Sequence, residues 1–142
     1  MTEQENRELV EQYIRCIHEG NTEELLNLIH DDFVEQYPQS GEQIRGKDNF
    51  QKFYENFEGL PNIEGYNLHM CGDLCVLEML LNYPDGDIYN ACEIVQFQDG
   101  KIANIKAYFA EPFEAPEWRS EWVEMMGDTT EETYEQRPTA RT

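Results

Sequence analysis

IYNACEIVQFQDGKIANIKAYFA, residues 88–110, is the stretch whose reading decides the fold. Asp99-Gly100 is a turn pair, and the runs on either side are rich in β-branched and aromatic residues. That pattern predicts a hairpin of Ile88 to Phe97 and Lys101 to Ala110. Side chains alternate faces along a strand, so Tyr89, Ala91, Glu93, Val95 and Phe97 share one side. Four of the five are aromatic or aliphatic, and the fifth is a carboxylic acid. Glu93 is therefore either a hydrogen-bonded structural group or an acid kept for chemistry.

Upstream, Tyr66 to Met70 and Leu74 to Leu81 flank Gly72-Asp73, and Pro84-Asp85-Gly86 supplies another turn. On the strand from Leu74, Cys75, Leu77, Met79 and Leu81 share one face, while Val76, Glu78 and Leu80 share the other. Apolar residues on both faces predict cover on both faces, and hence a homodimer formed through the sheet.

The first half reads differently. Thr2 and Glu5 fit a capping box, followed by Leu9, Val10, Tyr13, Ile14 and Ile17 at helical spacing up to Gly20. Asn21 or Thr22 can cap a short second helix carrying Leu25, Leu26, Leu28 and Ile29. A third helix is expected from about Gly46 to Phe57, with Phe50, Phe53, Tyr54 and Phe57 inward and Gly59-Leu60-Pro61 as its stop. Three helices followed by four consecutive antiparallel strands predict an α+β domain with helices on one face of a curved sheet.

Between the second and third helices lies FVEQYPQSGE, residues 33–42, a strand running into a turn. Phe33, Glu35 and Tyr37 share a face, which sets a carboxylate between two aromatic rings. Either Glu35 faces water at a sheet edge or pairs with Arg45 or Lys47, or this face lines a cavity that uses an acid.

The 142 residues suit one domain, expected over residues 1–126. APEWRSEWVEMM, residues 115–126, has Trp118, Trp122 and Met125 spaced for a short helix packed on the core or on a partner. Residues 127–142 are polar and acidic with a single aromatic, and are expected to form an unordered tail. Thirty acidic against ten basic residues give a net charge of −20, which disfavours nucleic acid and anionic membranes as partners. No apolar run approaches the roughly 20 residues that span a bilayer. MTEQENRELVEQ lacks the pattern of a signal peptide, so a cytoplasmic location is expected. Cys71 and Cys75 have zinc-ligand spacing, but no second pair or close histidine completes a site. The scattered His18, His30 and His69 add none, so no metal is expected. No phosphate-cradling loop or other cofactor signature occurs, so no cofactor is expected either.

The order of elements, with residues 13–54 and 93–111 as its carriers, resembles the NTF2-like superfamily. Within it the sequence is similar to SnoaL-like proteins and ketosteroid isomerases. The resemblance implies a cone-shaped fold with a pocket between helices and sheet. It sets Tyr13 at the oxyanion-donating tyrosine, Tyr54 at the tyrosine behind it, Glu93 at the protonated acid and Phe109 at an aromatic wall. The position of the isomerases' Asp base is held by Tyr37, which at a pKa near 10 donates rather than abstracts a proton. Glu35, on the same face as Tyr37, is the candidate replacement. The catalytic candidates are thus Tyr13, Glu35 and Glu93, with Tyr37, Tyr54 and Phe109 contacting a small apolar or carbonyl-containing ligand. Two functions fit: cofactor-free proton transfer next to a carbonyl (isomerase, cyclase or dehydratase), or a non-catalytic ligand-binding or dimeric interaction module.

Overall fold

The structure, a computed structural model, describes residues 1–127 and 133–138. In chain order it forms α1 (Glu3–Glu19), α2 (Thr22–Leu26), β1 (Ile29–Tyr37), β2 (Glu42–Arg45), α3 (Lys47–Glu55), β3 (Asn62–Cys71), β4 (Leu74–Asn82), β5 (Ile88–Gln98) and β6 (Lys101–Ala110). The strands make one curved, unclosed sheet in the order β2-β1-β6-β5-β4-β3, with the helices on its concave face. Only the β1–β6 pair is parallel.

Local chemistry sets the helix limits. Thr2 accepts from the Glu5 amide while the Glu5 carboxylate accepts from the Thr2 amide, closing the expected box at the start of α1. Gly20, at φ +70°, takes the left-handed conformation that ends the helix, which a side chain would strain. The buried stripe of α1 (Val10, Tyr13, Ile14, Ile17) lies on the sheet, and α3 inserts Phe50 beside Phe33 with ring centroids 4.7 Å apart.

Three regions differ from the sequence reading. β1 begins at Ile29, inside the stretch assigned to the second helix, because Ile29 pairs with Ile102 of β6. β2 is an additional strand: beyond Gly41, at φ +81°, Glu42–Arg45 folds back antiparallel on β1. Both depend on partners distant in sequence or on a turn. Residues 115–126 do not form the expected helix; only Glu117–Arg119 makes a single 3-10 turn. Trp118 and Trp122 are each 74% exposed in the single chain, so neither belongs to its core.

Residues 133–138, within the stretch expected to be an unordered tail, lie along β3. Gln136 bridges Tyr66 through two backbone hydrogen bonds, and Tyr134 is buried with its hydroxyl 2.7 Å from Asn90 Oδ1. Gly65 permits this approach: a Cβ there would lie 2.8 Å from the Tyr134 Cβ. Residues 128–132 and 139–142 of that tail fall outside the described residues.

Candidate active site

Strand parity and register bring the two acids onto one face. Phe33, Glu35 and Tyr37 of β1 point inward, as do Ala91, Glu93 and Val95 of β5. Glu35 pairs with Ile105 and Glu93 with Ala107, so β6 alone separates the acids. Its inward residue beside Glu93 is the small Ala107, which leaves space above the sheet. Helix α1 lowers Tyr13 into that space, and α3 closes it with Phe53 and Tyr54. The result is a cavity of about 180 Å³ whose lining includes all six residues singled out from the sequence: Tyr13, Glu35, Tyr37, Tyr54, Glu93 and Phe109.

Sequence reasoning missed the rim. Leu60 and Pro61, read as a helix stop, line the cavity, as does Tyr83, whose ring meets Tyr89 edge-on at 5.4 Å. The signal for Tyr83 was its place at the end of an inward-facing strand. Phe53 and Phe57, assigned to the core side of the third helix, also face the cavity.

Glu35 is 2% and Glu93 6% exposed. The alternative in which Glu35 meets water or pairs with Arg45 or Lys47 does not occur; Lys47 lies 3.8 Å from Asp31 instead. The Tyr13 hydroxyl donates to Glu93 Oε1 at 3.0 Å and is itself hydrogen-bonded to Tyr54. The Tyr37 hydroxyl donates to Glu35 Oε2. Glu35 Oε1 is fully buried and has no hydrogen-bond partner among the described residues.

Burial dominates the electrostatics. It disfavours each carboxylate, and the charge of Glu93 adds to the effect on Glu35. Glu35 rises to about 8, while Glu93, with its charged form supported by the Tyr13 hydrogen bond, rises to about 7. Burial, reinforced by the acids, also drives Tyr13, Tyr37 and Tyr54 far above the usual tyrosine value, so all three keep their protons. Near neutral pH the site therefore holds protonated phenols and a carboxyl pair poised between charge states. Among the described residues no group of three or more His, Cys, Asp or Glu is arranged to hold a metal ion, and no helix is long and apolar enough to cross a membrane.

A family model for the SnoaL-like domain matches residues 10–105. The chain belongs to the SnoaL-like family. Its matched segment runs from α1 into β6 and contains five of the six candidate site residues, leaving out Phe109. An NTF-2 like protein of unknown function from Burkholderia xenovorans LB400 is 32% identical over 88% of this chain and 98% of its own, with a TM-score of 0.81. A proposed ketosteroid isomerase from Kribbella flavida DSM 17836 is 21% identical over 87% of this chain and 90% of its own, with a TM-score of 0.79. An NTF2-like protein of unknown function from Cytophaga hutchinsonii ATCC 33406 is 17% identical over 72% of this chain and 88% of its own, with a TM-score of 0.64. The last two share the fold with this SnoaL-like chain. None of the curated proteins matches it. Family membership supports a small-molecule-binding domain.

Proposed function

We propose that this SnoaL-like protein catalyses cofactor-free proton transfer next to the carbonyl of a small apolar substrate. The observation that carries the reading is the buried Glu35–Glu93 pair with its three tyrosines, set in an aromatic cavity and left with one unpartnered oxygen, Glu35 Oε1. A carboxylate takes the proton from the carbon beside the carbonyl, and the electron pair moves into an enolate. The neutral partner donates a hydrogen bond to the developing oxyanion, and the same proton returns at another carbon. The base missing from Tyr37 is supplied within the pair.

The two acids titrate as one buried pair: the one that has lost its proton is the base, and the one that keeps it is the donor. Turnover then rises with pH as the pair loses its first proton and falls as it loses its second, both raised above the ordinary glutamate value by burial. Glu35→Gln and Glu93→Gln should each abolish turnover of an activated β,γ-unsaturated ketone while ligand binding survives. Tyr13→Phe should shift the rising limb upward, because it removes the hydrogen bond that favours the Glu93 carboxylate. Wild-type turnover indistinguishable from that of the double Gln variant would reject catalysis.

The second reading, a non-catalytic ligand-binding module, is favoured by one specific observation: the Tyr13 and Tyr37 hydroxyls are spent on carboxylates rather than left for a substrate. Under it, Gln at 35 and 93 changes affinity but no turnover exists to lose. For assembly, we propose a homodimer through the convex face of the sheet, where Tyr108 and Ile88 are exposed. A monomer by sedimentation at micromolar concentration would reject it.

A further inference from the structure

The cavity's chemistry is one-sided. Two carboxyl groups lie within it, and of the described residues that line it none is Lys, Arg or His. Two of its four phenol hydroxyls are already used on the acids, Tyr13 on Glu93 and Tyr37 on Glu35. On the acids themselves, the oxygen left without a partner is Glu35 Oε1, on a side chain 2% exposed. A buried oxygen with no protein partner is costly unless a ligand or water satisfies it.

The walls fit the same charge. Tyr37, Phe53, Tyr54, Phe57, Tyr83 and Phe109 surround the space, and aromatic faces attract cations most strongly where water is excluded. Phe53 stands edge-on to Tyr54 and Phe57, at 71° and 70°, so the walls present rings in more than one orientation. Outside the cavity, the net charge of −20 raises the local concentration of cations and repels anions.

From these features we propose that the ligand is a small apolar amine or quaternary ammonium compound, its cationic head caged by the aromatic walls and neutralised by the Glu35–Glu93 pair. The inference rests on the reading of this cavity as the ligand site, and names the ligand's class; an amino ketone would also carry the carbonyl of the proposed reaction. Glu35 Oε1 is the donor while the carboxyl keeps its proton and the acceptor once it is lost. A cation shifts the pair toward the ionised form. Its binding therefore releases a proton to solvent. The groups that share this proton balance are Tyr13 on α1, Glu35 and Tyr37 on β1, Tyr54 on α3, Tyr83 after β4 and Glu93 on β5. The tyrosines stay protonated, and the acids alone exchange it.

Three probes that share one ring separate the possibilities: benzyltrimethylammonium, acetophenone and phenylacetate, titrated calorimetrically into the full chain. The cation should bind at least about tenfold more tightly than the ketone above pH 8, and phenylacetate should bind weakest. Cation affinity should fall as pH drops below about 7, through the range in which the pair takes up protons. Repeating the titration in buffers of different ionisation enthalpy should reveal proton release with the cation and none with the ketone. Glu35→Gln, checked for folding by circular dichroism, should remove the preference for the cation and leave ketone binding in place. Ketone binding equal to or tighter than that of the cation would overturn the inference and leave the carbonyl reading standing. So would cation binding without proton release. Failure of both cation and ketone to bind the wild type would overturn both readings.

Discussion

Two aromatic regions of the molecule differ in what stands behind them. Phe50, Phe53, Tyr54 and Tyr37 lie between α3 and the sheet, in ring contacts of 4.7–6.1 Å. Phe113, Trp118 and Trp122 follow β6 and remain 74–81% exposed. The residue types are alike, so composition does not distinguish the regions. The first lies on an amphipathic helix whose other neighbours are fixed by sheet register. The second follows Pro112, carries a further Pro116, and has none of the described elements packed over it. An aromatic contributes to stability in proportion to the area it removes from water, and only the first group removes much.

The largest expected effect tests that contrast directly. Phe50→Ala leaves a cavity between α3 and β1 and should lower stability by about 3–5 kcal/mol, measured by urea unfolding. Trp118→Ala should change it by less than about 0.5 kcal/mol at a concentration where the chain is monomeric. Equal losses at the two positions would mean that residues 113–126 pack on the body, and would abolish the distinction.

The acid pair gives the next effect, and its sign is opposite to that of a carboxylate held by a salt bridge. Both acids have folded values above the ordinary 4.5, so the folded state holds protons that the unfolded chain releases. Their favourable contribution is complete below about 4.5 and is lost as pH rises through about 7 and about 8. The melting temperature should therefore fall across that window, and Glu35→Gln should flatten the decline. An unchanged slope in both Gln variants would mean that the acids are hydrated.

A smaller effect belongs to Tyr134, which is intermediate between the two regions: buried, but held by a short segment. Tyr134→Ala should cost on the order of 2 kcal/mol through lost burial and the lost Asn90 hydrogen bond. Gly65→Ala should act in the same direction by pushing the segment off β3. A melting temperature unchanged in both variants would show that the segment adds nothing to the body.

Much of this was legible along the chain because it rests on periodicity and punctuation. The capping box at Thr2, the stop at Gly20, the Asp99-Gly100 turn and the alternation that puts Glu35 with Tyr37 and Glu93 with Val95 are local facts, and local sterics enforce them. Other features depended on distant partners. β1 started at Ile29 because Ile102 pairs with it, and β2 formed because β1 was already in place. The cavity existed because Ala107 lies beside Glu93 while Tyr13 descends from α1, and no one-dimensional pattern encodes that meeting. The same holds for charge: a sequence assigns each glutamate its ordinary acidity. Only the tertiary structure, by taking Glu35 and Glu93 out of water one strand apart, decides that they share protons near neutral pH.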